Sequence, residues 1–153
     1  MRGLQILVII ALVSSLSEAK KRTDPNLFKK LKIPAREIRE LRKEFESKGG
    51  LLLKESDSRY KDYIRPWNMN CREKPQLVIL PNTYQQAAKG LELIKKHDES
   101  FVIMSGGHDN ECESNTDRVL MNLALLNEVK VDEERQVAVF QSGARWEDVY
   151  KEL

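Results

Sequence analysis

The sequence predicts an α+β fold built around one α/β unit, in which a strand, a helix and a second strand follow one another. The first strand is Gln76–Leu80, and Thr83–Gln86 reads as a capping box that opens the helix. The helix keeps one apolar face up to about His97. The second strand, Phe101–Met104, runs straight into Gly106–Gly107, as expected of a buried strand that ends in a tight loop. Such a unit places a ligand at the carboxyl end of its second strand.

Residues 1–19 are predicted to form a secretory signal peptide. Arg2 supplies a positive start, Leu4–Leu16 is almost wholly apolar, and Ser17 and Ala19 offer small residues at the positions a signal peptidase reads. The apolar run is shorter than the roughly 20 residues that cross a bilayer. We therefore expect a secreted chain that is not stably inserted in a membrane. The alternative is an uncleaved anchor.

Residues 20–70 are predicted to form a basic helical arm and a lead-in to the main domain. Between Lys20 and Lys48 the sequence has eleven Lys or Arg residues against five acids. Pro34 suits a first helical position, and Gly49–Gly50 suits the helix end. Apolar residues recur at helical spacing at Ile38, Leu41 and Phe45. Because acids are interleaved, we expect this stripe to pack on the domain, with binding to a membrane surface as the alternative.

The lead-in is predicted to contain a short strand and a helical turn. Leu51–Leu53 suits a buried strand, and Ser56–Asp57 could cap a turn that carries Tyr60 and Tyr63. Trp67 is interpreted as a packing residue, because aromatic side chains bring large apolar area.

Further strands follow the glycine-rich loop. Val119–Leu123 is apolar, and the alternation in Val129–Val131 and Gln136–Phe140 predicts a hairpin. Gln141–Ala144 is a second loop of small residues, and Trp146–Leu153 begins a helix. A short helix without a C-terminal cap is marginal, so we expect the sequence to be cut within a domain.

Composition limits the possible functions. The chain has 153 residues and a net charge of +2, which suits about one domain and gives no argument for a nucleic-acid partner. Cys71 and Cys112 allow a single pairing, and both a disulfide and two free thiols remain open. His97 falls in the last turn of its helix, where it complements the helix dipole, and we assign it no chemistry. We predict no metal site.

The segment Ser105-Gly106-Gly107-His108-Asp109 is the candidate ligand site. Glycine tolerates positive φ and lacks Cβ, so the backbone N–H groups can approach a ligand closely. Successive N–H groups in such a concavity bind anions, above all phosphates. His108 then lies where the loop would meet the ligand. The alternative is a plain turn.

The order of these features resembles the FAD-binding domain of the vanillyl-alcohol oxidase/p-cresol methylhydroxylase (PCMH) superfamily. The most similar branch is the berberine-bridge-enzyme-like, oxygen-dependent FAD-linked oxidoreductases. The resemblance covers about residues 38–153. It rests on Tyr60 with Trp67-Asn68, Pro75–Pro81, the capped helix, Ser105–Asp109, Val119–Leu123 and Gln141–Tyr150. It implies that residues 71–153 are the first α/β subdomain of a PCMH-type FAD-binding domain, truncated, after the signal peptide and the arm.

The resemblance also implies roles for residues. His108 matches the histidine that is bonded covalently to the 8α-methyl of the flavin in this branch. The loop around the FAD pyrophosphate would be lined by Ser105, Gly106, Gly107 and Asp109. The second loop against the cofactor would be formed by Ser142, Gly143 and Ala144. No residue of the chain can be named as a catalytic base.

The implied function is that of the N-terminal part of an FAD-linked oxidase. A hydride would pass from a carbon of a small-molecule substrate to the flavin, and O2 would reoxidise the flavin; the partners are FAD, that substrate and O2. The alternative is a non-catalytic secreted domain, a truncated or degenerate copy of the flavin fold. The replacement of glycines common in the family, near Cys112 and Arg118, motivates this alternative.

Overall fold

The computed structural model describes residues 30–153. The predicted signal peptide, residues 1–19, and the start of the basic arm, residues 20–29, lie outside this range. Within it, no helix has both the length and the apolar character needed to cross a membrane. The elements are α1 (Ala35–Glu46), β1 (Leu51–Leu53), a 3₁₀ turn (Tyr60–Asp62), β2 (Leu77–Leu80), α2 (Tyr84–Lys96), β3 (Phe101–Met104), β4 (Val119–Asn122), β5 (Val129–Asp132), β6 (Val137–Phe140) and α3 (Trp146–Glu152).

The main sheet has four strands in the order β1-β2-β4-β3. Strands β2, β4 and β3 are parallel, and β1 pairs antiparallel with β2. Strands β2 and β4 are buried throughout, which explains their unbroken apolar sequences. This is the α/β unit that the sequence predicts.

Alternate residues of the central strands feed two cores, one on each face of the sheet. Leu77 and Ile79 pack with α1 and α2 on one face. Val78 and Leu80 pack with Tyr60 on the other face. The Tyr60 hydroxyl donates to the Pro75 carbonyl at 2.6 Å, and burial raises the pKa of Tyr60 to about 12. The lead-in therefore covers the face that the helices leave open.

Helix α1 confirms the apolar stripe predicted for the arm. Ile38 and Phe45 are buried, and Gly49 takes a φ of +82° just after the helix ends. The Gly50 N–H donates to the Phe45 carbonyl at 2.9 Å, which closes the helix end. Pro34 lies at the N-cap, one position before the first helical residue where it was predicted.

Helix α2 confirms one half of the predicted capping box. The Thr83 hydroxyl accepts from the Gln86 N–H at 3.2 Å. The Gln86 side chain does not return to Thr83: its oxygen accepts from the Asn82 N–H at 2.7 Å, and its amide donates to the Phe45 carbonyl at 3.1 Å. Buried Gln86 thus joins α2 to the end of α1.

The prediction that Ser56–Asp57 caps a helical turn is wrong. The turn begins after Arg59, and no side chain caps it. Asp57 instead accepts from the Lys54 N–H at 2.7 Å and pairs with Arg42 of α1 at 3.0 Å. The Asp57 carboxylate therefore binds Arg42 of α1, which is distant in sequence, and does not cap the turn.

Strand β3 is less buried than its sequence predicts. It lies at the edge of the sheet, where it pairs with β4 alone. Phe101 and Ile103 remain 38% and 39% exposed, because nothing within residues 30–153 covers their face. Only Met104 of this strand is buried.

The predicted hairpin is confirmed as β5 paired antiparallel with β6. Helix α3 follows the second small-residue loop and buries Val149. Of the two states left open for the cysteines, the structure has the disulfide between Cys71 and Cys112.

Candidate functional site

The loop Ser105–Asp109 leaves β3 at the carboxyl end of the parallel strands, where the sequence predicts a ligand. Gly107 is buried and has a φ of +68°, a conformation that side chains rarely adopt. A Cβ at Gly107 would also lie 3.2 Å from the Met104 sulfur. Gly106 differs, since a Cβ there would meet only the His108 ring, at 3.2 Å. Gly107 therefore gives the turn its backbone conformation, and Gly106 leaves the outer side of the loop open.

Four successive backbone N–H groups of this loop, from Ser105 to His108, donate to no acceptor within residues 30–153. Neighbouring groups are bonded: the Leu123 N–H donates to the Met104 carbonyl at 2.9 Å, and the Gly107 carbonyl accepts from the Trp67 N–H at 2.9 Å. Consecutive unpaired amides concentrate partial positive charge, as in the anion-binding concavities of other loops. The stretch can therefore hold a phosphate or diphosphate.

The second small-residue loop lies beside the first. The Ser105 hydroxyl donates to the Ser142 carbonyl at 2.5 Å. Gly143 lies so close to the preceding chain that a Cβ there would be 1.8 Å from the Leu123 carbonyl oxygen. The Gly143 N–H donates to the Leu126 carbonyl at 2.8 Å, and the Ala144 N–H donates to Gln141 at 3.0 Å. The structure thus brings together the two loops that the sequence names.

His108 is exposed, and its imidazole stacks on the indole of Trp67. The ring centroids are 6.1 Å apart, and the ring planes differ by 22°. Trp67 is itself 64% exposed, so its prediction as a packing residue is wrong. Its backbone is bonded to the glycine loop, and this attachment holds the indole outside the core. Sequence reasoning missed Trp67 as a site residue, although its place in the resemblance was a usable signal.

Asp109 uses its carboxylate within the chain. The carboxylate accepts from the Ser114 and Glu111 N–H groups, each at 2.9 Å. These hydrogen bonds, first that from Ser114, hold the pKa of Asp109 below its ordinary value. Asp109 therefore organises the turn that follows His108.

The lead-in segment is fastened along the glycine loop. The Asn68 side chain donates to the Asn110 carbonyl at 2.8 Å, and the Cys71–Cys112 disulfide follows three residues later. Cys112 has a φ of +63°, so it adopts the left-handed backbone that glycine adopts easily. The Arg118 side chain pairs with buried Glu99 at 2.7 Å.

These residues fit the FAD diphosphate. The unpaired backbone N–H groups can donate hydrogen bonds to phosphate oxygens, so that no buried cation is needed. The open side of Gly106 leaves room for those oxygens to approach. The second loop supports the first through Ser105 and Ser142. Binding would therefore depend mainly on the backbone.

Comparison with known proteins agrees with this geometry. The family described as "FAD binding domain" matches residues 75–153. The FAD-dependent monooxygenase prx3 of Penicillium roqueforti is 34% identical over 95 residues, which are 60% of this chain and 19% of that protein.

Two solved structures share the fold. The 6-hydroxy-D-nicotine oxidase of Arthrobacter nicotinovorans is 21% identical with a TM-score of 0.63, over 67% of this chain and 23% of that one. The berberine-bridge-enzyme-like protein 1 of Physcomitrella patens is 19% identical with a TM-score of 0.54, over 63% and 21%. The chain thus spans about a fifth of the length of the proteins it matches.

Proposed function

Because this chain belongs to the FAD binding domain family, we propose that its Ser105–His108 loop holds the diphosphate of FAD. The observation that carries this proposal is the run of four backbone N–H groups without an acceptor in residues 30–153. Gly107 gives the loop its curvature, and Gly106 keeps the approach to the amides free. Gly143 lets the second loop lie close enough for the Ser142 carbonyl to accept a hydrogen bond from the Ser105 hydroxyl.

The proposed activity is that of an FAD-linked oxidoreductase. FAD, when bound, supplies an acceptor for a hydride from a carbon of a small-molecule substrate, and O2 takes the electrons afterwards. The part of this task that falls to residues 30–153 is to bind and orient the cofactor. The family membership and the two adjoining loops support this division of work.

His108 is proposed as the site of covalent attachment to the 8α-methyl of the flavin. Its exposure supports the proposal, because the imidazole needs to reach a ligand outside the protein core. Its position next to the unpaired amides supports it as well, since a flavin tethered there would extend from the same loop that holds its diphosphate.

The experiment is a pair of flavin measurements on protein expressed from the complete coding sequence. Wild-type protein should carry flavin absorbance, and the colour should remain with the protein after acid precipitation. The His108→Ala variant should release its flavin into the acid supernatant. Flavin that stays with precipitated His108→Ala protein would contradict the attachment, and wild-type protein that takes up no FAD would contradict the binding function.

Secretion is proposed together with this function. The apolar run Leu4–Leu16 supports it, and so does the Cys71–Cys112 disulfide, a bond typical of oxidising compartments. Recovery of the protein from the medium, without the first 19 residues, is the corresponding test.

A further inference from the structure

The structure assigns Trp67 as the positioning residue of His108, an inference that rests on the function proposed above. The two rings stack with their centroids 6.1 Å apart and their planes 22° from parallel. We infer that the indole covers one face of the imidazole, limits its rotation, and directs the ring nitrogens towards the open side of the loop, where the flavin would lie.

Packing in the core does not account for the position of Trp67. The side chain is 64% exposed and belongs to neither core of the main sheet. The ring it meets is His108, which is also exposed. An indole held on the surface against one imidazole stabilises the orientation of that imidazole more than it stabilises the fold.

The backbone fixes Trp67 in register with His108. The Trp67 N–H donates to the carbonyl of Gly107, the residue just before His108, at 2.9 Å. Asn68 donates to Asn110 on the other side of His108 at 2.8 Å. The Cys71–Cys112 disulfide closes the same pair of segments further along. Three links therefore hold Trp67 beside His108 although neither ring is buried.

Orientation matters for a covalent attachment more than for reversible binding. The diphosphate would be held by backbone amides, which a change at Trp67 leaves in place. Forming a bond to the flavin needs a ring nitrogen within reach and correctly aimed, and loss of alignment typically costs a large factor in rate. Loss of the Trp67 indole should therefore slow the covalent attachment of the flavin and leave reversible binding of FAD unchanged.

The test compares Trp67→Ala, Trp67→Phe and the control Met69→Ala. Met69 is 74% exposed and lies two residues further along the same segment, so it controls for a change in that segment alone. Trp67→Ala should take up FAD as wild type does but form the acid-stable adduct on the order of tenfold more slowly. Trp67→Phe should restore most of the rate, and Met69→Ala should match wild type.

A second readout needs no flavin. In the FAD-free protein, NMR resonances of the His108 ring should carry a ring-current shift from the indole, which Trp67→Ala removes and Met69→Ala keeps. Unchanged His108 resonances in Trp67→Ala, or a wild-type rate of attachment in that variant, would overturn the inference. If the wild-type protein shows the ring-current shift and never binds FAD, the proposed function fails while the orientation of His108 by Trp67 stands.

Discussion

The two small-residue loops of this protein have similar sequences but opposite structures. Ser105–His108 presents four backbone N–H groups that meet no acceptor within residues 30–153. In Gln141–Ala144, the Gly143 and Ala144 N–H groups are already bonded to carbonyls of the chain. A Cβ added to Gly106 would meet only the exposed His108 ring, at 3.2 Å, whereas one added to Gly143 would collide with the Leu123 backbone.

The comparison shows that a loop glycine can either keep the backbone accessible from outside or allow two backbone segments of the fold to pack closely. Gly106 leaves the outer side of its loop accessible, and the proposed function assigns that space to the FAD diphosphate. Gly143 is small because the backbone itself approaches. The bond from Ser105 to Ser142 joins the two loops, so the closed loop braces the open one. The same residue type at the two positions thus predicts different mutational effects.

The largest expected effect is that of Gly143→Ala. Its Cβ would lie 1.8 Å from the Leu123 carbonyl oxygen, so backbone has to move. Overpacking of this kind should lower the free energy of unfolding by about 3 kcal/mol, the upper end of the usual range, because the clash is with backbone. The matched control is Gly106→Ala, which should cost less than about 1 kcal/mol, since it meets only the edge of His108. Urea unfolding measures both, and equal losses would remove the distinction between the loops.

The disulfide is expected to have the next largest effect, because it holds the open loop from outside. Replacing Cys71 and Cys112 together by serine removes a link across 41 residues of sequence. We expect a loss of about 2 kcal/mol, at the low end for such loops, because the left-handed backbone of Cys112 is also relieved. Thermal unfolding of the variant and of reduced wild-type protein should agree. A variant as stable as the oxidised protein would contradict this.

Ser105→Ala should have a smaller effect, since it removes only the side-chain bond to Ser142. The group is exposed, so the cost in unfolding free energy should be at most about 1 kcal/mol. Hydrogen exchange should nevertheless rise together at two bonded amides that report on the two loops: the Trp67 N–H, which donates to Gly107, and the Gly143 N–H, which donates to Leu126. Faster exchange in only one of them would show that the second loop does not brace the first.

The smallest expected effect is the pH dependence of the turn after His108. Hydrogen bonds from the Ser114 and Glu111 N–H groups lower the pKa of Asp109 in the folded state. The stabilisation is therefore complete above the unfolded-state pKa of about 4 and is lost as the pH falls through the lower folded value. Below about pH 4 the Ser114 amide of wild type should lose protection, measured as its exchange rate relative to that of an unstructured peptide at the same pH. In Asp109→Asn this protection should be low at every pH, and a wild-type protection that does not change with pH would contradict this assignment.

Local signals in the sequence predicted most of the elements. The stripe of Ile38 and Phe45, the Thr83 cap and the alternation in the β5–β6 hairpin each depend on neighbours a few residues away. Such patterns are fixed by helical and strand periodicity, so they survive in the folded structure. The open loop was also predicted, because a strand followed by two glycines is a local signal.

Long-range partners were not predicted. The position of β3 at the sheet edge depends on strand order, which periodicity does not encode, so Phe101 and Ile103 were expected to be buried. Asp57 was taken as a cap because its partner Arg42 lies on another element. Trp67 was interpreted as a packing residue, because the sequence does not reveal that a hydrogen bond to Gly107 holds it against His108.

The most direct test of the central claim, that the open amides of Ser105–His108 hold the diphosphate, is the affinity for FAD of protein from the complete coding sequence with and without Gly106→Val. The branched side chain would stand where phosphate oxygens need to approach, and within the fold its Cβ would meet only the exposed His108 ring, at 3.2 Å. We predict that wild-type protein binds one FAD, and that the variant stays folded with its affinity lowered at least about tenfold. A folded Gly106→Val protein that binds FAD as tightly as wild type would contradict the account.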